Sequence, residues 1–228
     1  MSGEHAQLIF DLPHRPALGA QDFFISQSNR AAADVIDRWP DWPQAAILVV
    51  GPPRSGKTHL ANVWRLKSGA ERLEAPAVCE GDMARTASAD ALLVEDLHAG
   101  VGNERVLFHL LNLVRERKLA MLITSRVPAG ELEVQLPDLR SRLRALPFVT
   151  ISAPDQALLT AVLIKHFADR QLMVEPHTIG YIALRMEQSM EAAATIVAEI
   201  DRAAMALHRK VTRALAAEIL ARHNAAGS

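Results

Sequence analysis

Residues 45–58 constrain the fold of this chain more than any other stretch. Residues 45–50 (AAILVV) are wholly apolar, and Gly51-Pro52-Pro53-Arg54-Ser55-Gly56-Lys57-Thr58 follows at once. A short apolar run closed by glycine suits a parallel strand covered on both faces. The octapeptide is a G-x-x-x-x-G-K-[ST] phosphate loop, placed where its chemistry requires, after a strand and before a helix. Its glycines let backbone N–H groups turn inward around phosphate oxygens, and the following helix N-terminus favours negative charge. Lys57 is expected to reach the β- and γ-phosphates, and the Thr58 hydroxyl to ligate Mg²⁺. The bland alternative is a chance match in a turn rich in glycine and proline; the strand–loop–helix context argues against it. ADP or ATP, with Mg²⁺, is the implied ligand.

The rest of the chain supplies the sheet that such a loop needs. Residues 91–94 (ALLV), 120–124 (AMLIT) and 148–151 (FVTI) read as further buried strands. Helical patterns lie between them: residues 29–38, ended by Pro40 and Pro43, residues 57–68, and a stretch through Val106, Leu110, Leu113 and Val114. Strands alternating with helices indicate an α/β fold with a parallel sheet. After Pro154 no strand run recurs, and three helices are expected at about 155–170, 176–187 and 191–222, the last open to an interruption. Asp155 and Pro176 are suitable helix starts. The expected organisation is a tail over 1–20, an α/β nucleotide-binding domain over 21–153 and a small helical lid domain over 154–228. The tail is interrupted by Pro13 and Pro16.

Composition narrows the function classes. With 25 Lys+Arg against 26 Asp+Glu the net charge is −1, which argues against direct sequence-specific DNA binding. Aromatic residues are 4% of the chain, too few for a base-stacking platform. The single cysteine, Cys79, excludes an intrachain disulfide. No apolar run approaches the ~20 residues that span a bilayer, and the first residues do not resemble a secretory leader, so no membrane and a cytoplasmic location are expected.

A phosphate loop needs acids. Leu92-Leu93-Val94-Glu95-Asp96 supplies them at a strand end, with Glu95 on the metal side and Asp96 on the catalytic side by order along the strand. Asp96 could instead cap the next helix. Thr124-Ser125-Arg126 ends the third strand, where Ser125 is the candidate sensor of a γ-phosphate. Residues 138–144 (DLRSRLR) form a basic cluster, either a solvated surface run or the source of an arginine finger.

Set in order, these elements resemble the DnaA/Hda family of AAA+ ATPases over about residues 7–222. Phe23-Phe24-Ile25 with Ser28-Asn29-Arg30-Ala31-Ala32 is similar to the segment on the adenine side, which places Ile25 and Asn29 at the nucleotide. Gly56-Lys57-Thr58-His59-Leu60 matches the family's form of the loop and adds His59. Leu139-Arg140-Ser141-Arg142-Leu143 resembles the arginine-finger segment, with Arg142 as the finger, and residues 152–155 (SAPD) resemble the passage into the lid. Gln7-Leu8-Ile9-Phe10, with Leu12, resembles the short motif that docks on the bacterial sliding clamp. There glutamine bonds the pocket rim while leucine and phenylalanine fill an apolar cleft. The alternative is a strap packed on its own domain.

The resemblance implies a regulator of replication initiation that docks on the clamp and stimulates hydrolysis of DnaA-bound ATP, with self-association into a homodimer or larger homo-oligomer left open. It also carries departures. Glu95 stands where an aspartate is usual, and the lid arginine position falls on Met190-Glu191-Ala192, with Arg185 nearby. An acid there repels a γ-phosphate, which is compatible with a diphosphate-bound scaffold. The rival readings are a helicase-loader or transposition-helper ATPase, and a nucleotide-gated adaptor without turnover.

Overall fold

The computed structural model describes residues 14–15, 23–207 and 209–226. A two-stranded sheet joins β1 (His14–Arg15) and β2 (Phe23–Phe24). The main sheet has five parallel strands, β3 (Ala46–Val50), β4 (Glu71–Glu74), β5 (Ala91–Glu95), β6 (Ala120–Ser125) and β7 (Phe148–Thr150), in the order β4-β5-β6-β3-β7. β3 and β5 are buried at every residue, as their apolar runs require for strands covered on both faces. Pairing of β3 with β6 sets Val50 opposite Ser125, so the phosphate loop leaves the sheet beside the end of β6.

Five helices serve this sheet: α1 (Arg30–Arg38), α2 (Lys57–Ser68), α3 (Gly81–Arg85), α4 (Glu104–Arg117) and α5 (Pro137–Arg144). Helix α2 runs between Gly56 and Gly69, both left-handed, with Arg65 and Lys67 in its last turn where the helix dipole favours cations. Asn103 starts α4 by accepting from the Arg105 and Val106 N–H groups. The core of the α/β unit joins Leu48, Val50, Leu92, Val94, Met121 and Ile123 of the strands to Leu107, Leu110, Leu111 and Val114 of α4. Where α1 ends, Trp39 meets Trp64 of α2 edge to face at 6.4 Å, and Trp42 stacks on Trp64 at 5.3 Å. Lys67 closes this corner by donating to the Ile36, Asp37 and Trp39 carbonyls.

The chain divides into two compact units, one holding Gln27–Ala153 and the other built on Phe24–Ser26 and the chain from Pro154 onward. The second contains α6 (Gln156–Asp169), α7 (Pro176–Ala183), α8 (Met190–Leu207) and α9 (Arg213–Ala226). Asp155 caps α6 and Pro176 opens α7, as expected. Leu159, Leu163, Phe167, Ile182, Ile196 and Ile219 share its core.

Several elements depart from the sequence reading. The stretch over 191–222, read as helical and open to an interruption, is interrupted into two helices, with Thr212 accepting from Leu215 N–H at the start of α9. Helix α7 stops at Ala183 rather than 187. β4, α3 and α5 carried no expectation, and His14–Arg15 of the expected tail pair as a strand.

Candidate functional site

The loop between β3 and α2 is built on close approaches. A Cβ at Gly51 would lie 2.6 Å from the Ile151 carbonyl oxygen and 2.9 Å from Ser55 Oγ, so only glycine fits there. Gly56 has φ +96°, and Arg54, at φ +60°, also holds a left-handed conformation. Alternation of this kind turns successive backbone amides toward one concavity. Ser55 Oγ is buried in that loop with no hydrogen-bond partner among the described residues, the kind of orphaned polar atom that a ligand satisfies. Lys57 is 7% exposed, and its ammonium donates to the Gly51 and Pro52 carbonyls at 2.7 Å each. Burial pushes the Lys57 pKa down, the Arg126 charge adds to that, and Asp96 opposes it. Pro52, Pro53, Arg54 and Thr58 face solvent, while His59 is half-buried and held below the usual histidine range by burial. Ile25 and Asn29, expected on the adenine side, are both buried. The Asn29 carbonyl accepts the Ala33 N–H at the start of α1.

The two acids diverge. Glu95 ends β5 as a buried side chain, whereas Asp96 leaves the strand with φ +57° and is 51% exposed. The Asp96 N–H donates to Thr124 Oγ1 at 3.2 Å, which ties the end of β5 to β6. Thr58, His59, Asn62, Arg72 and Glu95 line one cavity, so the two residues expected on the metal side do meet. Arg72 also enters that cavity: its Nε lies 2.5 Å from Glu95 Oε2, and its second arm lies 2.5 Å from Glu74 Oε1. Burial raises the Glu95 pKa, and the guanidinium pulls it back. As a Mg²⁺ site the set does not fit, because its one buried carboxylate already carries a cation. Among the described residues no cluster of three or more His, Cys, Asp or Glu side chains could hold a metal.

Ser125 is buried at the end of β6, but its hydroxyl serves its own turn, donating to the Val127 carbonyl at 2.6 Å and accepting the Val127 N–H at 3.2 Å. The next residue, Arg126, is exposed, and its charge is felt at both Lys57 and His98. Arg126 stood in the string that pointed to Ser125; charge, rather than the hydroxyl, is what that strand end delivers to the loop. On α5 the three arginines part company. Arg142 is half-buried and donates to Asn112 Oδ1 of α4 at 3.0 Å, whereas Arg140 and Arg144 are exposed. In the helical unit Glu191 sits in the first turn of α8, where the helix dipole stabilises an acid, and Ser189 caps that turn through Ala192 N–H. Arg185 lies over the Tyr181 ring at 4.2 Å, with Arg213 at 4.6 Å. Gln7, Leu8, Phe10 and Leu12 lie outside the described residues.

Solved structures share this architecture. Domain III of the Thermotoga maritima replication initiation protein DnaA superposes with a TM-score of 0.73 at 15% identity, covering 88% of this chain and 94% of that one. The Thermotoga maritima RuvB Holliday junction branch migration motor gives 0.68 at 17% identity over 86% of this chain and 69% of its own. In sequence the chain is 27% identical to the chromosomal replication initiator protein DnaA of Cutibacterium acnes over 200 residues, 77% of this chain. The matched region spans 40% of that relative's length, and 26% of a second DnaA, from Lachnoclostridium phytofermentans. No protein-family model matches the chain. The chain is thus similar in sequence to part of DnaA and shares the fold of its domain III. No helix among the described residues is long and apolar enough to cross a membrane.

Proposed function

We propose that this chain binds an adenine nucleotide, ADP or ATP, at residues 51–59 and acts in the cytoplasm as an Hda-like regulator of replication initiation. The carrying observation is the loop itself. A buried ammonium that donates to two loop carbonyls, beside a buried hydroxyl without a partner among the described residues, is arranged to exchange those partners for phosphate oxygens. A DnaA bound to AMPPCP and single-stranded DNA is among the structures of the same fold, with a TM-score of 0.63, which supports nucleotide at this position. Ile25 and Asn29 take the adenine side. Arg126 and Asp96 set the charge around Lys57, and Asp96 orients water where turnover occurs.

In this reading the chain docks on the sliding clamp through Gln7, Leu8, Phe10 and Leu12 and presents Arg142 to the nucleotide of DnaA. A guanidinium is permanently charged and planar, and can neutralise charge developing on a phosphoryl group in a neighbouring subunit. Asn112 aims Arg142 through a 3.0 Å bond, whereas exposed Arg144 reaches the Gly130 carbonyl at 3.4 Å. By the resemblance, Glu191 stands where a lid arginine is usual, and in this reading the chain works as a diphosphate-holding activator rather than as a fast ATPase.

The test is hydrolysis of DnaA-bound ATP with clamp loaded on DNA. Arg142→Ala is expected to abolish stimulation by about 10³-fold or more, the scale of an arginine finger, while Arg140→Ala changes it within ~1 kcal/mol. Stimulation that survives Arg142→Ala removes the finger assignment. Clamp capture that survives Leu8→Ala with Phe10→Ala removes the docking assignment.

A further inference from the structure

We propose that Arg72 supplies the positive charge at Glu95 that a divalent cation would supply, so that this chain binds adenine nucleotide without requiring Mg²⁺. The proposal rests on nucleotide binding at the phosphate loop and concerns how that site is neutralised.

The argument begins with strand register. β4 and β5 pair in parallel with Glu74 opposite Glu95, which brings two carboxylates side by side on one face of the sheet. Residues two apart on a strand share a face, so Arg72 stands on that same face. Its guanidinium divides between the two acids at 2.5 Å each. A planar fork that stays charged at every accessible pH suits two carboxylates, and these charge-assisted bonds are among the strong ones. The strand carrying Arg72 is itself held. Arg85 donates to the Arg72 carbonyl at 2.8 Å and pairs with Glu71 at 3.0 Å and Asp82 at 3.3 Å.

Arg72 also lines the cavity it shares with Thr58 and Glu95, the two side chains a phosphate-loop metal would use. A dication entering there meets the Arg72 charge and an acid with one oxygen, Oε2, already paired to it. Displacing Arg72 would leave a second cation beside the metal and would strip Glu74 of its partner. The guanidinium therefore stays, and the nucleotide's phosphates meet Lys57, Arg126 and the loop amides without a metal bridge.

The experiment is calorimetric titration of the full chain with ADP, once in excess EDTA and once in millimolar Mg²⁺. Wild-type affinities are expected to agree within about twofold, whereas Arg72→Gln should bind at least about tenfold more weakly in EDTA and recover with Mg²⁺. Wild-type binding that tightens about tenfold or more with Mg²⁺ overturns the proposal while leaving the phosphate-loop reading intact. So does an Arg72→Gln variant that matches wild type in both buffers. Absence of ADP binding in both buffers overturns the phosphate-loop reading, and this proposal with it. Circular dichroism checks that the variant is folded, and if it is not, the wild-type pair of titrations decides alone.

Discussion

Lys57→Ala separates the lysine's role in the fold from its role at the ligand. In the ligand-free chain the ammonium is 7% exposed and makes two 2.7 Å bonds to loop carbonyls. Truncation loses those bonds but also removes a charge that burial disfavours, as the lowered pKa shows. The two effects oppose, and folding stability should change by no more than about 1 kcal/mol in either direction. With nucleotide bound the balance differs, because the lost partner is then a charged phosphate oxygen. Bonds to charged groups contribute roughly 1.5–3 kcal/mol, so ADP and ATP should bind about 10- to 150-fold more weakly. ATP should lose at least as much as ADP, since it presents the γ-phosphate as well. Isothermal titration with each nucleotide reads the affinities, and thermal unfolding without ligand reads the stability. A folded variant that binds both nucleotides as tightly as the parent refutes the reasoning.

Gly51→Ala pushes a methyl group against the Ile151 carbonyl, a backbone atom that cannot swing aside. It should cost roughly 1–3 kcal/mol in urea unfolding, as overpacking does, whereas Gly130→Ala, with open space around it, should be near neutral. Equal midpoints for the two variants would contradict the close approach. Asn112→Ala removes the acceptor that holds Arg142 and should lower stimulation of DnaA-bound ATP hydrolysis by about tenfold with little effect on the chain's own nucleotide affinity. Asn112→Asp, which keeps an acceptor, should restore it, and failure to restore would make Asn112 a packing residue only. His166 is held below the ordinary histidine value chiefly by burial and secondarily by Arg170, with Asp169 opposing. Folded chains therefore bind fewer protons than unfolded ones just below about pH 6.5, so this contribution is complete above that value and is lost as the pH falls through the folded one. Urea midpoints across that range should decline toward acid less steeply in His166→Gln, and an unchanged slope would discard the attribution.

What could be read along the chain was whatever local pattern controls. Residues 45–68 declare a strand, a loop and a helix because apolar runs, positive-φ glycine and the phosphate signature are consecutive, and α2 begins and ends where expected. β4 escaped because an edge strand of sequence Glu-Arg-Leu-Glu buries only Leu73. With one apolar residue in four it carries no alternation that would stand out from a surface run. α5 escaped for another reason. Leu139 and Leu143, four apart and both buried, mark a helix face behind Pro137, but the arginines between them drew attention as charge. The Arg72–Glu95 pair joins residues 23 positions apart and depends on strand order, which no linear reading supplies. Ser125 shows the limit at atomic scale: a residue can be placed at the right strand end while its hydroxyl is committed two residues onward.

The tryptophan corner has an optical consequence. The chain's three tryptophans are Trp39, Trp42 and Trp64, packed together where α1 meets α2, and its single tyrosine, Tyr181, lies in the other compact unit. Indole emission from this protein therefore reports on one small region of the α/β unit, and phenol absorbance reports on the helical one. Each unit thus carries its own native dye. A melt followed at both chromophores can reveal whether the units come apart together or in sequence, with no label added. Because α2 starts at the phosphate loop and carries Trp64 on its third turn, indole emission also offers a direct spectroscopic view of that loop filling.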